Sequence, residues 1–287
     1  MRYPPTVGDY VAIGPRADGL ACLIELLPRR TAHVRDSAGA TARTQALAAN
    51  VDVVLVAEHL DPEPDLGRIE RLLMLAWRSG ARPVIVLTKD DLVPDGAAMA
   101  AEVIAVAPGV DVHVVSATAG TGLDPLRALL TPGTTVVIVG PSGSGKSTLI
   151  NALARRDLMA TGDLRADGRG RHTTTHRELI VLSSGAVLID TPGLRAVGVT
   201  GGAAAVDATF ADITALAELC RFNDCAHDRE PGCAVRAALE SGALSERRFD
   251  SWRRVAREAA WQARRVDVRL AAAEKTLWKQ RTASHRR

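Results

Sequence analysis

The sequence predicts an α/β protein in three parts: a small N-terminal β unit, a central domain with a mainly parallel sheet, and a C-terminal helical domain organised by soft ligands. Three observations carry this reading. From Val51 onward, short apolar runs alternate with segments of helical periodicity, the pattern of a parallel sheet covered on both faces. A glycine-rich stretch, Gly140-x4-Gly145-Lys146-Ser147, joins one such run to one such helix. Three of the four cysteines fall, with a histidine, inside Cys220 to Cys233.

In chain order, VGDYVAI, LACLIELL and QALAA read as about three short strands over residues 1–49, bounded by Gly, Pro and Arg. Strand VDVVLV follows, then a helix with apolar positions Leu66, Ile69, Leu72, Leu73, Ala76 and Trp77, and strand PVIVL. A helix from about Ala97 to Val106, strand DVHVVS, the short helix LDPLRALL, strand TTVVIVG and helix GKSTLINALA come next. Strands HRELIVL and AVLID are joined by SSG, a hairpin turn. Gly201, Gly202 and an Ala run read as a linker, and one or two long Arg-rich helices close the chain. The domain limits expected are 1–49, 50–203 and 204–287.

With 287 residues, 47% of them apolar, the chain can bury a core in each of two or three domains. The start MRYPPTVGDY has no apolar leader, and runs such as VVLVA are far short of a membrane span, so a cytoplasmic protein with no membrane association is expected. Ser245 to Arg287 holds 13 Lys and Arg against 5 Asp and Glu, which leaves the rest of the chain acidic. That asymmetry suits an anionic partner such as nucleic acid, or else a solvated helix face. Four cysteines are too few for a disulfide framework, and Cys22, in an apolar strand, reads as a core residue.

Gly140-x4-Gly145-Lys146-Ser147 fits the phosphate-binding loop, and its context, after a strand and opening a helix, is the required one. The candidate phosphate-binding residues are Gly140, Pro141, Ser142, Gly143, Ser144, Gly145, Lys146, Ser147 and Thr148. Glycines let successive N–H groups point inward, and the helix N-terminus adds its positive end. Lys146 would reach the β and γ phosphates, and the Ser147 hydroxyl would bind Mg²⁺.

The loop alone does not choose a base. Thr88-Lys89-Asp90-Asp91 does, because the Asp91 carboxylate can accept from the ring N–H and exocyclic amine of guanine, a donor pair that adenine lacks. The Lys89 stem can cover the ring. Ser116-Ala117, one βα unit later, would offer a backbone N–H to the guanine carbonyl. Asp190-Thr191-Pro192-Gly193 closes a strand, so Asp190 can hold the Mg²⁺ water shell and the Gly193 amide can sense the γ-phosphate. In Gly170 to Thr175, either Thr174 or Thr175 could give its hydroxyl to Mg²⁺. The motifs therefore run base, base, phosphate loop, switch, switch: a P-loop GTPase set, binding GTP and GDP, circularly permuted. Permutation leaves sheet contacts intact when the joined ends are near one another.

Cys220-x4-Cys225-x-His227-x5-Cys233 offers three thiolates and one imidazole, the set of a closed structural Zn²⁺ site. Permuted motifs, GRHTTT, DTPG and this cluster together resemble the ribosome small-subunit-dependent GTPase A family (RsgA, also called YjeQ). VGDYV, LLPRRT, QALAANVD and SATAGTGLDPL are similar to that family too, so the resemblance covers nearly the whole chain.

The resemblance implies an OB-fold domain, a permuted GTPase domain and a zinc domain, acting in late maturation of the 30S subunit. It implies contact with 16S rRNA and slow hydrolysis stimulated by the 30S subunit; a monomer is expected. Thr88 stands where the family usually has Asn, which removes an amide that would brace the phosphate loop and the base. Leu194 follows DTPG where many GTPases place a water-orienting Gln. His172 is then the candidate to orient or deprotonate the water, the alternative being an exposed loop histidine. An OB-fold needs five strands, so the N-terminal unit is expected to be a truncated barrel. A second reading is a nucleotide-gated RNA-binding module whose hydrolysis is incidental. A third, a P-loop kinase, is weakened by TKDD and SA.

Overall fold

The computed structural model describes residues 4–16, 18–36, 44–158, 178–190 and 202–266, and the chain forms two compact units, Met1–Gly198 and Val199–Arg287. In the first unit, β1 (Val11–Pro15) pairs antiparallel with β2 (Ala21–Leu26), and β3 (Ala32–Asp36) pairs antiparallel with β4 (Thr44–Ala49). Four strands in two ribbons thus precede Val51, where about three were expected. The unforeseen strand, β3, is short and carries His33, Arg35 and Asp36 in place of an apolar run. Cys22, expected in a core, is only half-buried on β2.

The ribbons are stitched to the start of the sheet by polar groups. Arg29 grips Asp9 with both Nε and Nη2, at 2.6 and 2.7 Å. Asn50 accepts from the Arg30 amide at 2.9 Å while its Nδ2 donates to the Gly8 carbonyl at 2.9 Å. The Thr31 hydroxyl donates to the Val51 carbonyl at 2.6 Å.

The sheet combines β5 (Val53–His59), β6 (Arg82–Thr88), β7 (Asp111–Val114), β8 (Thr135–Val139), β9 (Glu178–Val181) and β10 (Val187–Asp190). Its order is β7-β6-β5-β8-β10-β9, parallel except for β9, which forms the SSG hairpin with β10. Near-continuous apolar strands are explained by burial on both faces. Val53, Leu55, Ala57, Val136 and Ile138 meet α3 (Asp124–Leu129) and α4 (Lys146–Ala154) through Leu126, Leu149, Ile150 and Leu153. The alternate residues Val54, Val56, Val137 and Val139 meet α1 (Leu66–Ser79) and α2 (Gly96–Ala105) through Ile69, Leu72, Leu73 and Val103. Asp65 caps α1 by accepting from the Arg68 amide, and Asp95 caps α2 by accepting from Ala98, each at 2.9 Å.

Strands β5 and β8 are neighbours, yet the chain leaves them in opposite directions, toward β6 and toward β10. The crevice beyond their C-terminal ends is the topological switch point where such sheets bind ligands. The strand that leads into the phosphate loop, β8, comes fourth along the sheet-forming chain, after β5 and after β6 and β7, the two that lead to the expected base-reading motifs. This is the circularly permuted order.

In the second unit, α5 (Ala203–Thr209), α6 (Ala211–Glu218), α7 (Ala234–Glu240) and α8 (Glu246–Val266) enclose Phe210, Ile213, Val235 and Phe249. The Ala run expected as linker is helix α5, since alanine has the highest helix propensity and Ala205 and Val206 bury a face. Arg248, 2% exposed, bonds Asp212 at 2.8 Å and the Thr209 carbonyl at 2.9 Å, and lies 4.3 Å from the Phe210 ring centroid. No helix among the described residues is long and apolar enough to cross a membrane.

Candidate nucleotide site and metal centre

The phosphate loop begins where β8 ends. A side chain at Gly140 would collide with the Ala57 carbonyl of the neighbouring strand, so only glycine lets the loop pass β5 this closely. Gly145, at φ 74, takes the left-handed conformation that opens α4. Ser144 is fully buried between them, its hydroxyl donating to the Pro141 carbonyl at 3.0 Å. Lys146 Nζ donates to the carbonyls of Pro141 at 2.6 Å and Gly140 at 3.2 Å. Burial lowers the Lys146 pKa, opposed by the carboxylates of Asp190 and Glu58. The amine is therefore surrounded by oxygen but poor in water, a setting that favours an anionic partner. Asp190 is buried at the end of β10, on the same edge of the sheet.

The residues expected to read the base converge at that end of the sheet. Asp91 lies in a short 3-10 turn, Asp90–Leu92, and its Oδ1 accepts from the Ser116 hydroxyl at 2.5 Å. Ser116 Oγ also accepts from the Ala119 amide at 3.0 Å, so one side chain folds the Ser116-Ala117 loop and orients the carboxylate. Lys89, at φ 64, turns the chain between β6 and Asp91. Thr88 corrects one expectation. Its hydroxyl donates to the Ser144 carbonyl at 2.8 Å, with the Glu58 carbonyl at 3.2 Å, so the loop half of the brace is kept without the amide. His172, Thr174, Thr175, Gly193 and Leu194 lie outside the described residues.

Sequence motifs missed Glu58. Its side chain is fully buried at the end of β5 and is held by Arg68 of α1, Nε to Oε2 at 2.7 Å and Nη2 to Oε1 at 2.9 Å. The signal was present: a glutamate closes the apolar run VVLVAEH.

The four soft ligands of the second unit come together. Their donor atoms all lie within 4.8 Å of one another. Cys220 Sγ is 3.8 Å from Cys233 Sγ and 3.6 Å from His227 Nδ1, and His227 Nδ1 is 3.4 Å from Cys233 Sγ. A tetrahedral ion with metal–sulfur bonds of ~2.3 Å separates its ligand atoms by about 3.8 Å, so the cluster fits one. Glu230 shapes the loop, accepting from Ala226 at 3.0 Å, Asp228 at 2.9 Å and Arg229 at 3.1 Å, and its own backbone amide first, then those of Asp228, Ala226 and Arg229, hold its carboxyl down at about 2. His227 sits at φ 58, its ring 5.6 Å from Trp252, and burial keeps the imidazole toward the neutral form a ligand requires. Burial and the neighbouring thiols push Cys225 up to about 11, so metal binding there must release a proton.

Comparison with known proteins agrees with this geometry. The family model described as RsgA GTPase matches residues 26–200. The Streptomyces avermitilis protein named small ribosomal subunit biogenesis GTPase RsgA is 51% identical over 282 residues, covering 96% of this chain and 75% of the relative. A protein of the same name from Opitutus terrae is 48% identical over 286 residues, with 96% and 78% covered. The crystal structure of YjeQ from Thermotoga maritima superposes with a TM-score of 0.64 at 26% identity, covering 89% of this chain and 84% of that one. YloQ, described as a circularly permuted GTPase, gives 0.59 at 27% identity, covering 89% and 81%. With more than half of the chain matched by the family model and such identity along nearly all of it, this chain belongs to the RsgA GTPase family.

Proposed function

We propose that this GTPase binds the small ribosomal subunit in the cytoplasm as a monomer, assists late 30S maturation through contact with 16S rRNA, and hydrolyses GTP slowly unless the 30S subunit stimulates it. One observation carries the guanine reading: Asp91, oriented by Ser116, and the phosphate loop, braced by Thr88, share one edge of one sheet. The Asp91 carboxylate accepts from the two guanine donors, and the Ala117 backbone N–H reads the base carbonyl. Loop amides from Ser142 to Thr148 and the α4 N-terminus hold the phosphates, whose oxygens take over from the Gly140 and Pro141 carbonyls as partners of Lys146. Ser147, Thr174 and the water shell of Asp190 would hold Mg²⁺, which would supply charge neutralisation to the β and γ phosphates. Gly193 senses the γ-phosphate, and His172 orients the water.

The proposed division into 1–49 as a reduced OB-fold, 50–203 as GTPase and 204–287 as zinc and RNA-binding region assigns these tasks. The exposed Arg253, Arg254 and Arg257 of α8 suit a phosphate backbone. The Cys220, Cys225, His227 and Cys233 cluster holds one structural Zn²⁺.

Multiple-turnover hydrolysis by the full chain, titrated with 30S and separately with 50S subunits, tests the reading. Stimulation by 30S alone is expected, and equal rates with and without 30S would overturn it. His172→Ala should abolish the stimulated rate while nucleotide affinity is unchanged. Asp91→Asn should cost GTP about 10³-fold in affinity and favour xanthine nucleotides. ATP binding within about tenfold of GTP would remove Asp91 as base selector.

A further inference from the structure

Guanine has two ends to be recognised. Its Watson–Crick edge faces away from the glycosidic nitrogen, so a base read by Asp91, with its phosphates on the loop from Gly140 to Lys146, must lay its five-membered ring between the two. Thr88 occupies that interval: it closes β6, three residues before Asp91, and a Cβ on Gly145 of the phosphate loop would be only 3.5 Å from its hydroxyl oxygen. A base read by Asp91 would pass its five-membered ring, whose acceptor is N7, by this side chain.

The hydroxyl has one hydrogen. It points at the Ser144 carbonyl, 2.8 Å away, with the Glu58 carbonyl at 3.2 Å, and both the threonine and Ser144 are buried. What remains on the oxygen is lone pairs, which cannot pair with the lone pair of N7. Turning the hydrogen toward a base would leave the buried Ser144 carbonyl without its partner.

We propose that Thr88 is a positioning residue that ties the base-reading strand to the phosphate loop, and that the nucleotide is consequently selected through the six-membered ring of guanine while N7 goes unread. The inference rests on the guanine reading of Asp91. Its consequence is specific. This GTPase tolerates nucleotides altered at N7 but rejects those altered at N1 or at the exocyclic amine.

The test is equilibrium binding of GDP, 7-deaza-GDP, in which N7 is replaced by C–H, and ADP to the full chain with Mg²⁺. Wild-type protein should bind GDP and 7-deaza-GDP within about twofold, and ADP far more weakly. Thr88→Asn carries two amide hydrogens, one for Ser144 and one for N7, and should come to prefer GDP over 7-deaza-GDP by about five- to tenfold, one added hydrogen bond. Thr88→Val keeps the shape without the donor and should lose roughly tenfold for both nucleotides alike, because Ser144 is left unpaired. A wild-type preference for GDP over 7-deaza-GDP beyond about fivefold overturns the inference while leaving Asp91 intact, since no lone pair of Thr88 can supply it. Undiminished GDP affinity in Thr88→Val overturns the positioning role. Comparable binding of ADP and GDP removes the guanine reading itself, and the inference with it.

Discussion

The metal centre and the nucleotide site reach similar precision by opposite routes. Four ligands within fourteen residues, Cys220 to Cys233, form the first, on a loop between two helices whose shape owes much to Glu230 and to the ion it can hold. The second draws Thr88, Asp91, Ser116, Lys146 and Asp190 from four strands and the loops behind them, and each is placed by sheet register. In one a bound ion would organise the fold; in the other the fold organises the ligand groups. The two should therefore fail differently.

The largest effect follows from removing the metal. Stripping with a chelator, or Cys225→Ser, should unfold the second unit, because metal binding to such sites supplies about 10–16 kcal/mol of apparent folding free energy. Circular dichroism should show helix loss, while guanine nucleotide affinity, which depends on residues before Val199, should hold within about twofold. Parallel loss of nucleotide binding would mean that the two sites do not fail independently. The converse also applies: saturating GDP should raise the melting temperature of the first unit and leave metal affinity unchanged.

The contrast also explains what could be read in the sequence. Ligand spacing declared the metal cluster directly, because four residues near in sequence have little choice but to be near in space. The phosphate loop, TKDD and SA were legible as motifs in strand–turn context, and alternating apolar runs announced the sheet and its permuted order. Residues acting through distant partners were not legible. Nothing local says that Thr88 will meet Ser144, 56 positions on, or that Glu58 will find Arg68 on the next helix. Strand β3 was hidden because its stabilisation comes from pairing with β4 and from burial of His33, a polar residue in a sequence count. The Ala run was hidden by its lack of polar periodicity.

His33 offers a smaller test of the fold-first side. Its ring is fully buried, and neither nitrogen has a hydrogen-bond partner among the described residues. Burial, with Arg78 of α1 adding repulsion, lowers its pKa to about 4. The unfolded chain, with an ordinary histidine near ~6.5, binds the proton first. Stability is thus full above about 6.5, falls as pH drops toward 4, and levels off below, losing up to about 3 kcal/mol. Urea unfolding of the first unit from pH 7.5 to 4.5 should show this slope, and His33→Leu should flatten it by that amount. An unchanged slope would mean that other groups set it.

The smallest effect belongs to Glu58, and it separates placement of the site from mere stability. A carboxylate fully buried at the end of β5 is tolerable because Arg68 meets both its oxygens. Glu58→Gln keeps the shape and removes the charge. The Arg68 side chain, about a third exposed, can then turn to water, so the loss should be nearer about 2 kcal/mol than the 3–5 typical of a fully buried pair broken on one side. That corresponds to roughly 4–8 °C in the melting temperature of the first unit. Glu58 also contributes to the field on Lys146, but Asp190 contributes more, and the Thr88 hydroxyl meets the Glu58 main chain, which the substitution leaves in place. GDP affinity should accordingly change by less than about threefold while the melting temperature falls. If affinity fell by tenfold or more with little change in melting temperature, the buried pair would be part of the nucleotide site rather than of the scaffold that positions it.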